Sequence, residues 1–169
     1  MGQKLSKNKP INNNQFDSNV DAKQILTNLD INTVPKVPFT QDYMLAKIIE
    51  VYDADTVTVV FLCDNTPIRM KIRVKGIDAP EIRTKQDFEK QAALKAKQYV
   101  SDMLLNQIKY IKFDSHDKYG GRMIGDVFVS EKSDCLSQHL ILKGYVKPYD
   151  GGKKNAWTKA ECQQIINAK

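Results

Sequence analysis

Three short apolar runs, separated by tight turns, constrain this chain more than any other feature. MLAKIIEVY (44–52), TVTVVFL (56–62) and PIRMKIRV (67–74) are rich in β-branched residues and partly alternating. The turns DADT and CDNTP join them, which reads as a three-stranded meander. In the third run Ile68, Met70, Ile72 and Val74 share one face, and Arg69, Lys71, Arg73 and Lys75 share the other, because side chains alternate along a strand. Arg73 therefore points away from the apolar side. Pro67 stands at a strand start, where its missing donor does least harm.

The period then changes. Phe88, Ala92, Ala96, Tyr99 and Met103 recur every three or four residues, predicting an amphipathic helix over 87–105. QIKYIKF and RMIGDVFV read as two further strands around the turn HDKYGG. A second helix is expected over about 133–143, ending at Gly144 with a left-handed cap, and a third over about 157–166. The fold class is mainly β with helices (α+β), and five strands with interspersed helices predict a small curled barrel of the OB type.

Residues 1–39 read as a basic flexible tail with one short helix over 20–29, and residues 40–169 as the domain, because the prolines of INTVPKVPF favour an extended linker. The tail opens MGQKLS. This fits N-myristoylation at Gly2, with Lys4, Lys7 and Lys9 adding attraction to an acidic membrane surface. No secretory segment and no transmembrane-length apolar run is present, so the expected location is intracellular, with membrane association through the acyl chain. Three widely spaced cysteines suit a reducing compartment rather than a disulfide framework. The net charge of +6 favours polyanionic partners, either nucleic acid or an acidic membrane face. No heptad demands a partner chain, so a monomer is expected.

Two carboxylate clusters punctuate the meander: Asp53 and Asp55 before the second strand, and Asp78 and Glu81 after the third. Taken singly, aspartates in turns usually bond their own backbone. Alternate turns of a meander lie at one end, however, and carboxylates gathered there would suit a hard cation, calcium or magnesium. Arginine matches a phosphate with paired donors, which brings in Arg73 and Arg122. His139 reads as a packing or surface residue of the second helix, and His116 as part of a turn.

The motifs DADT, RVKGIDAPE and DKYGGR, in that order, resemble those of the staphylococcal (micrococcal) nuclease family over about 48–166. The resemblance implies an OB-type five-stranded barrel and a calcium-dependent endonuclease acting on DNA, with RNA as an alternative substrate, with little sequence preference and leaving 3′-phosphate ends. It implies calcium ligation by Asp55, Asp78 and the Ala79 carbonyl, with Glu81 as general base or water-orienting group. Arg73 and Arg122 would stabilise the transition state, and Asp53 and Thr56 would support the metal pocket. Tyr145 and Tyr149 stand near the family's nucleotide-stacking tyrosines. Tyr149 with Lys147, Lys153 and Lys154 makes a substrate rim of aromatic and basic groups. Two departures are expected to matter. Ala54 replaces a family glycine, at a cost in strain if its φ is positive, and the extra Gly121 would displace Arg122. An inactive nucleic-acid or protein-binding module of the same fold is the alternative reading.

Overall fold

A computed structural model describes residues 43–168, apart from 64, 119 and 131–133, together with Gln24, Thr27 and Asn28. The chain separates into two compact units, Met1–Lys36 and Val37–Lys169. Gly2, its neighbouring lysines and most of the expected 20–29 helix lie outside the described residues.

The strands of the second unit are β1 (Met44–Asp53), β2 (Thr56–Cys63), β3 (Thr66–Val74), β4 (Ile77–Asp78), β5 (Ile108–His116), β6 (Met123–Val127) and β7 (Lys147–Pro148). The helices are α1 (Asp87–Leu104), α2 (Leu136–Leu142) and α3 (Lys159–Asn167). Five strands close into a barrel in the order β1-β2-β3-β6-β5. The meander β1-β2-β3 and the β5–β6 pair are antiparallel, whereas β3 and β6 run parallel. This is the expected OB-type barrel within an α+β fold.

Short strands can close only if they coil, and β1 does so through register shifts between Ile48 and Glu50 and between Val51 and Asp53. Inward-facing Ile48, Val57, Val59, Ile72, Ile111 and Phe113 fill the interior and are fully buried. The small row Ala92, Ala93 and Ala96 of α1, with Val100 and Leu104, lets that helix pack closely on β1 and α3. His139 bonds Tyr99 Oη at 2.9 Å, the packing role expected of it. The described cysteines, Cys63, Cys135 and Cys162, are all free.

Three boundaries differ from expectation. β6 ends at Val127, and Phe128 instead makes an isolated bridge to Cys135, which delays α2 to Leu136. Trp157 stands outside α3 because Thr158 caps that helix. The two-residue strands β4 and β7 pair with each other, Ile77 opposite Pro148 and Asp78 opposite Lys147. They hold the segment after α2 against the turn that follows β3.

Candidate active site

The β1–β2 turn is built by its own aspartates. Asp53 Oδ1 accepts the Asp55 N–H at 3.1 Å, and Asp55 O accepts the Val74 N–H at 2.7 Å, tying the turn to the end of β3. Ala54 is 1% exposed and does not have a positive φ, so alanine sits there without the expected strain. Its methyl group joins the core.

Asp55 is buried and fully engaged. Its Oδ1 accepts the Thr56 hydroxyl at 3.0 Å, its Oδ2 accepts the Ala79 N–H at 2.8 Å, and Arg73 Nη1 pairs with the same Oδ2. That last contact is an ion pair rather than an aligned hydrogen bond. Arg73 Nη2 donates to Ile77 O at 3.0 Å and lies 3.5 Å from Asp78 Oδ1. One guanidinium thus spans the two carboxylates that the resemblance assigned to the metal. Gly76, with φ 81°, makes the turn from β3 to β4 that brings Asp78 and Ala79 back toward Asp55.

Glu81 follows on an exposed loop. Its N–H is accepted by Glu89 Oε1 at 3.1 Å, and Thr84 Oγ1 donates to Glu89 Oε2 at 2.9 Å. Glu89 is a buried carboxylate that fixes the loop carrying Glu81. The signal for it was an acid in the apolar row of α1, ahead of Ala93 and Ala96.

Arg122 comes from the turn between β5 and β6. Gly120 and Gly121 both have positive φ, while Asp117 N–H donates to Arg122 O at 3.0 Å. Arg122 Nε reaches Asp117 Oδ2 at 2.6 Å. The buried Asp117, quoted in DKYGGR but given no role there, sets the direction of this arginine; an acid across a Gly-Gly turn was the available clue. Arg122 lines the same cavity as Asp53, Asp55, Arg73 and Glu81, a space of about 890 Å³.

The predicted substrate rim fares unevenly. Tyr149 lines the cavity, its hydroxyl donating to Gly152 O at 2.8 Å. Lys154 lines it too, but its Nζ lies 2.7 Å from Asp78 Oδ1 and 2.8 Å from Glu81 Oε1. Burial opposes that charge, yet the bonds to Asp78 and Glu81 outweigh it and raise the Lys154 pKa. Tyr145 is corrected: it is 2% exposed, its ring stacked 4.2 Å from Tyr99. The cap of α2 explains this, since Gly144 N–H donates to Ile141 O and Tyr145 N–H to Leu140 O, turning Tyr145 inward. Lys147 has Nζ on Glu161 at 2.8 Å and over the Trp157 ring at 4.3 Å, and it lines a neighbouring depression together with Tyr149. Lys153 lines the same depression with Asp78 and Gly76.

Around the cavity, the carboxyl groups of Asp55, Asp78 and Glu81 are met by Arg73 and Lys154, while Asp53 bonds the Asp55 N–H. The acidic excess appears at Asp53, whose pKa is pushed up to about 7 by burial and then by repulsion from Asp55. The donors are all oxygens, which in kind suits a hard divalent cation. In number they are sparse: among the described residues no group of three or more His, Cys, Asp or Glu is placed to hold a metal ion.

Residues 71–168 match the family model described as Staphylococcal nuclease homologue. The chain belongs to this family. The match covers more than half of the 169 residues and includes Arg73, Asp78, Ala79, Glu81 and Arg122. Asp53, Asp55 and Thr56 precede it, so their link to the staphylococcal nuclease family rests on the DADT motif and on their contacts with the matched part. No curated protein gave a match to the chain.

Proposed function

We propose that this protein is a calcium-dependent endonuclease. It would hydrolyse phosphodiester bonds of DNA, and of RNA as a second substrate, with little sequence preference, and leave 3′-phosphate ends. The observation that carries the reading is the convergence of Asp55, Arg73, Glu81 and Arg122, from four separate segments, on one cavity. Asp55 and Asp78, with the Ala79 carbonyl, would hold the cation, and water or a substrate oxygen would complete its shell. Bound calcium would neutralise charge on the scissile phosphate.

The chain's own groups supply the rest. Arg73 and Arg122 approach the cavity from β3 and from the β5–β6 turn, so two guanidinium groups can donate to one phosphate. Glu81, half exposed, takes a proton from the attacking water as the oxygen–phosphorus bond forms. The bond to the 5′ oxygen breaks, and that oxygen takes a proton from solvent. Lys154 must leave Glu81 for the carboxylate to act. Tyr149 offers a face for a base or sugar, and backbone contacts carry no sequence information.

One arrangement favours the second reading, a binding module: Lys154 already occupies the space between Asp78 and Glu81 as an internal counter-ion. Cleavage of a labelled single-stranded DNA with calcium, magnesium or chelator, beside Glu81→Gln, separates the two. We expect calcium-dependent cutting that falls by about 100-fold or more in the variant. A folded wild-type protein that binds but never cuts would establish the module instead. The proposal extends to an intracellular, monomeric enzyme tethered by acylation at Gly2. Retention on acidic vesicles that survives Gly2→Ala would dismiss the tether.

A further inference from the structure

Beside the cavity lies a second groove of about 570 Å³, lined by Arg69, Lys71, His116 and Arg122, with Met70 and Met123 supplying apolar surface. His116 and Arg122 line both spaces, so the groove is a continuation of the cavity. We propose that it receives the continuing strand of a single-stranded nucleic acid, gripped at two phosphates by Arg69 and Lys71. The inference rests on the nuclease reading and deepens it by extending the substrate beyond the scissile bond.

Arg69, Lys71 and Arg73 are alternate residues of β3 on its outward face, while Ile72 and Val74 are buried. Neighbours in such a row are about 6.6 Å apart, since a strand rises about 3.3 Å per residue. That step is comparable to the spacing of successive phosphates in an extended single strand. A phosphate held at Arg73 therefore has cationic positions for the next phosphates along the same line. A duplex presents two strands with a helical path and does not follow one straight row.

The row is available for such contacts. Lys71 is exposed and makes no ion pair among the described residues, and the Arg69 side chain is 68% exposed. The acidic group facing it, Glu50, stands 3.9 Å from Arg69 and accepts the Thr58 hydroxyl at 2.8 Å. A loose exposed pair of this kind contributes little and yields readily to a phosphate. Met70, partly buried on the groove's floor above the core residue Met123, gives an adaptable, polarisable edge for contact with any base, in keeping with weak sequence preference.

The test uses the full chain carrying Glu81→Gln, so that bound strands survive, with and without Arg69→Gln and Lys71→Gln together. Fluorescence polarisation would follow labelled single strands of about 12 and about 3 nucleotides over a salt series. We expect the double variant to lose about tenfold in affinity for the longer strand, and the slope of log K against log salt to fall by about 1.4. Affinity for the shorter strand should hold. Lys71→Glu alone should weaken the longer strand further than Lys71→Gln, and unchanged melting temperatures would tie these losses to binding. An unchanged slope for the longer strand overturns the proposal, as does failure to bind it at all. Equal loss for a duplex of the same length overturns the single-strand assignment. A wild-type protein that never cuts, yet shows this slope change, would sink the nuclease reading and leave the groove standing.

Discussion

At the scale of single residues, Asp53 carries a measurable cost. Burial and the neighbouring Asp55 raise its pKa from 3.8 to about 7. A carboxyl whose folded pKa is raised favours the folded chain while it is protonated. Its contribution is complete below the unfolded value and disappears as pH climbs through about 7. Without divalent cation, stability should therefore decline between about pH 4 and about pH 7, and Asp53→Asn should flatten that decline. Urea midpoints taken in chelator across this range measure it, and an equal decline in the variant would assign the effect elsewhere. Calcium should oppose the trend, because a cation beside Asp55 favours ionised Asp53.

At the scale of elements, the cap of α3 does more than start a helix. Thr158 Oγ1 accepts the Glu161 N–H at 3.3 Å, and Glu161 Oε2 accepts the Thr158 N–H at 2.8 Å. The same Glu161 oxygen receives Lys147 Nζ, so the helix start is stitched to β7 beside Asp78. That lysine first, and the Thr158 N–H next, lower the Glu161 pKa to about 2. A lowered carboxyl pKa stabilises the fold above its unfolded value of 4.5, and that stability is lost as pH falls through about 2. Thr158→Ala should cost about 1 kcal/mol, seen as a lower melting temperature near neutral pH. Glu161→Gln should make the acid-side loss of stability shallower.

The same scale shows what the sequence made legible. Apolar patterning located the barrel strands and periodicity located α1, because each is long enough to repeat its pattern. Gly144 announced the end of α2. By contrast β4 and β7 are two residues each and have no period to detect, yet they carry the site's second half. Tyr145 looked like a surface aromatic because the capping bonds that turn it inward depend on three-dimensional closure. Of the site, Arg73, Asp78 and Glu81 were readable as motif positions. Glu89 was not, and Asp117 stood in DKYGGR without an assigned role, since each acts by holding another residue through a contact across a turn or loop.

The whole molecule depends on two seams. The meander and the β5–β6 pair are local structures, and the barrel closes where β1 meets β5 and β3 meets β6. Gly125 lies on the second seam, between Val74 and Phe113. A Cβ there would lie 2.6 Å from Lys112 O, a backbone atom that cannot rotate away. Gly125→Ala should destabilise the protein by about 1–3 kcal/mol in denaturant unfolding. A normal midpoint would mean that the seam yields more easily than its geometry suggests.

Arg73 stands on that seam, opposite Ile124. The meander and the hairpin can form early from neighbouring residues, whereas the parallel pairing joins segments far apart in the chain and comes at the cost of closing a long loop. Arg73 therefore comes to share a cavity with Arg122 only once that slow step is complete. On the nuclease reading, a newly made chain would gain most of its secondary structure while still chemically harmless, and competence would arrive with the closing of that seam.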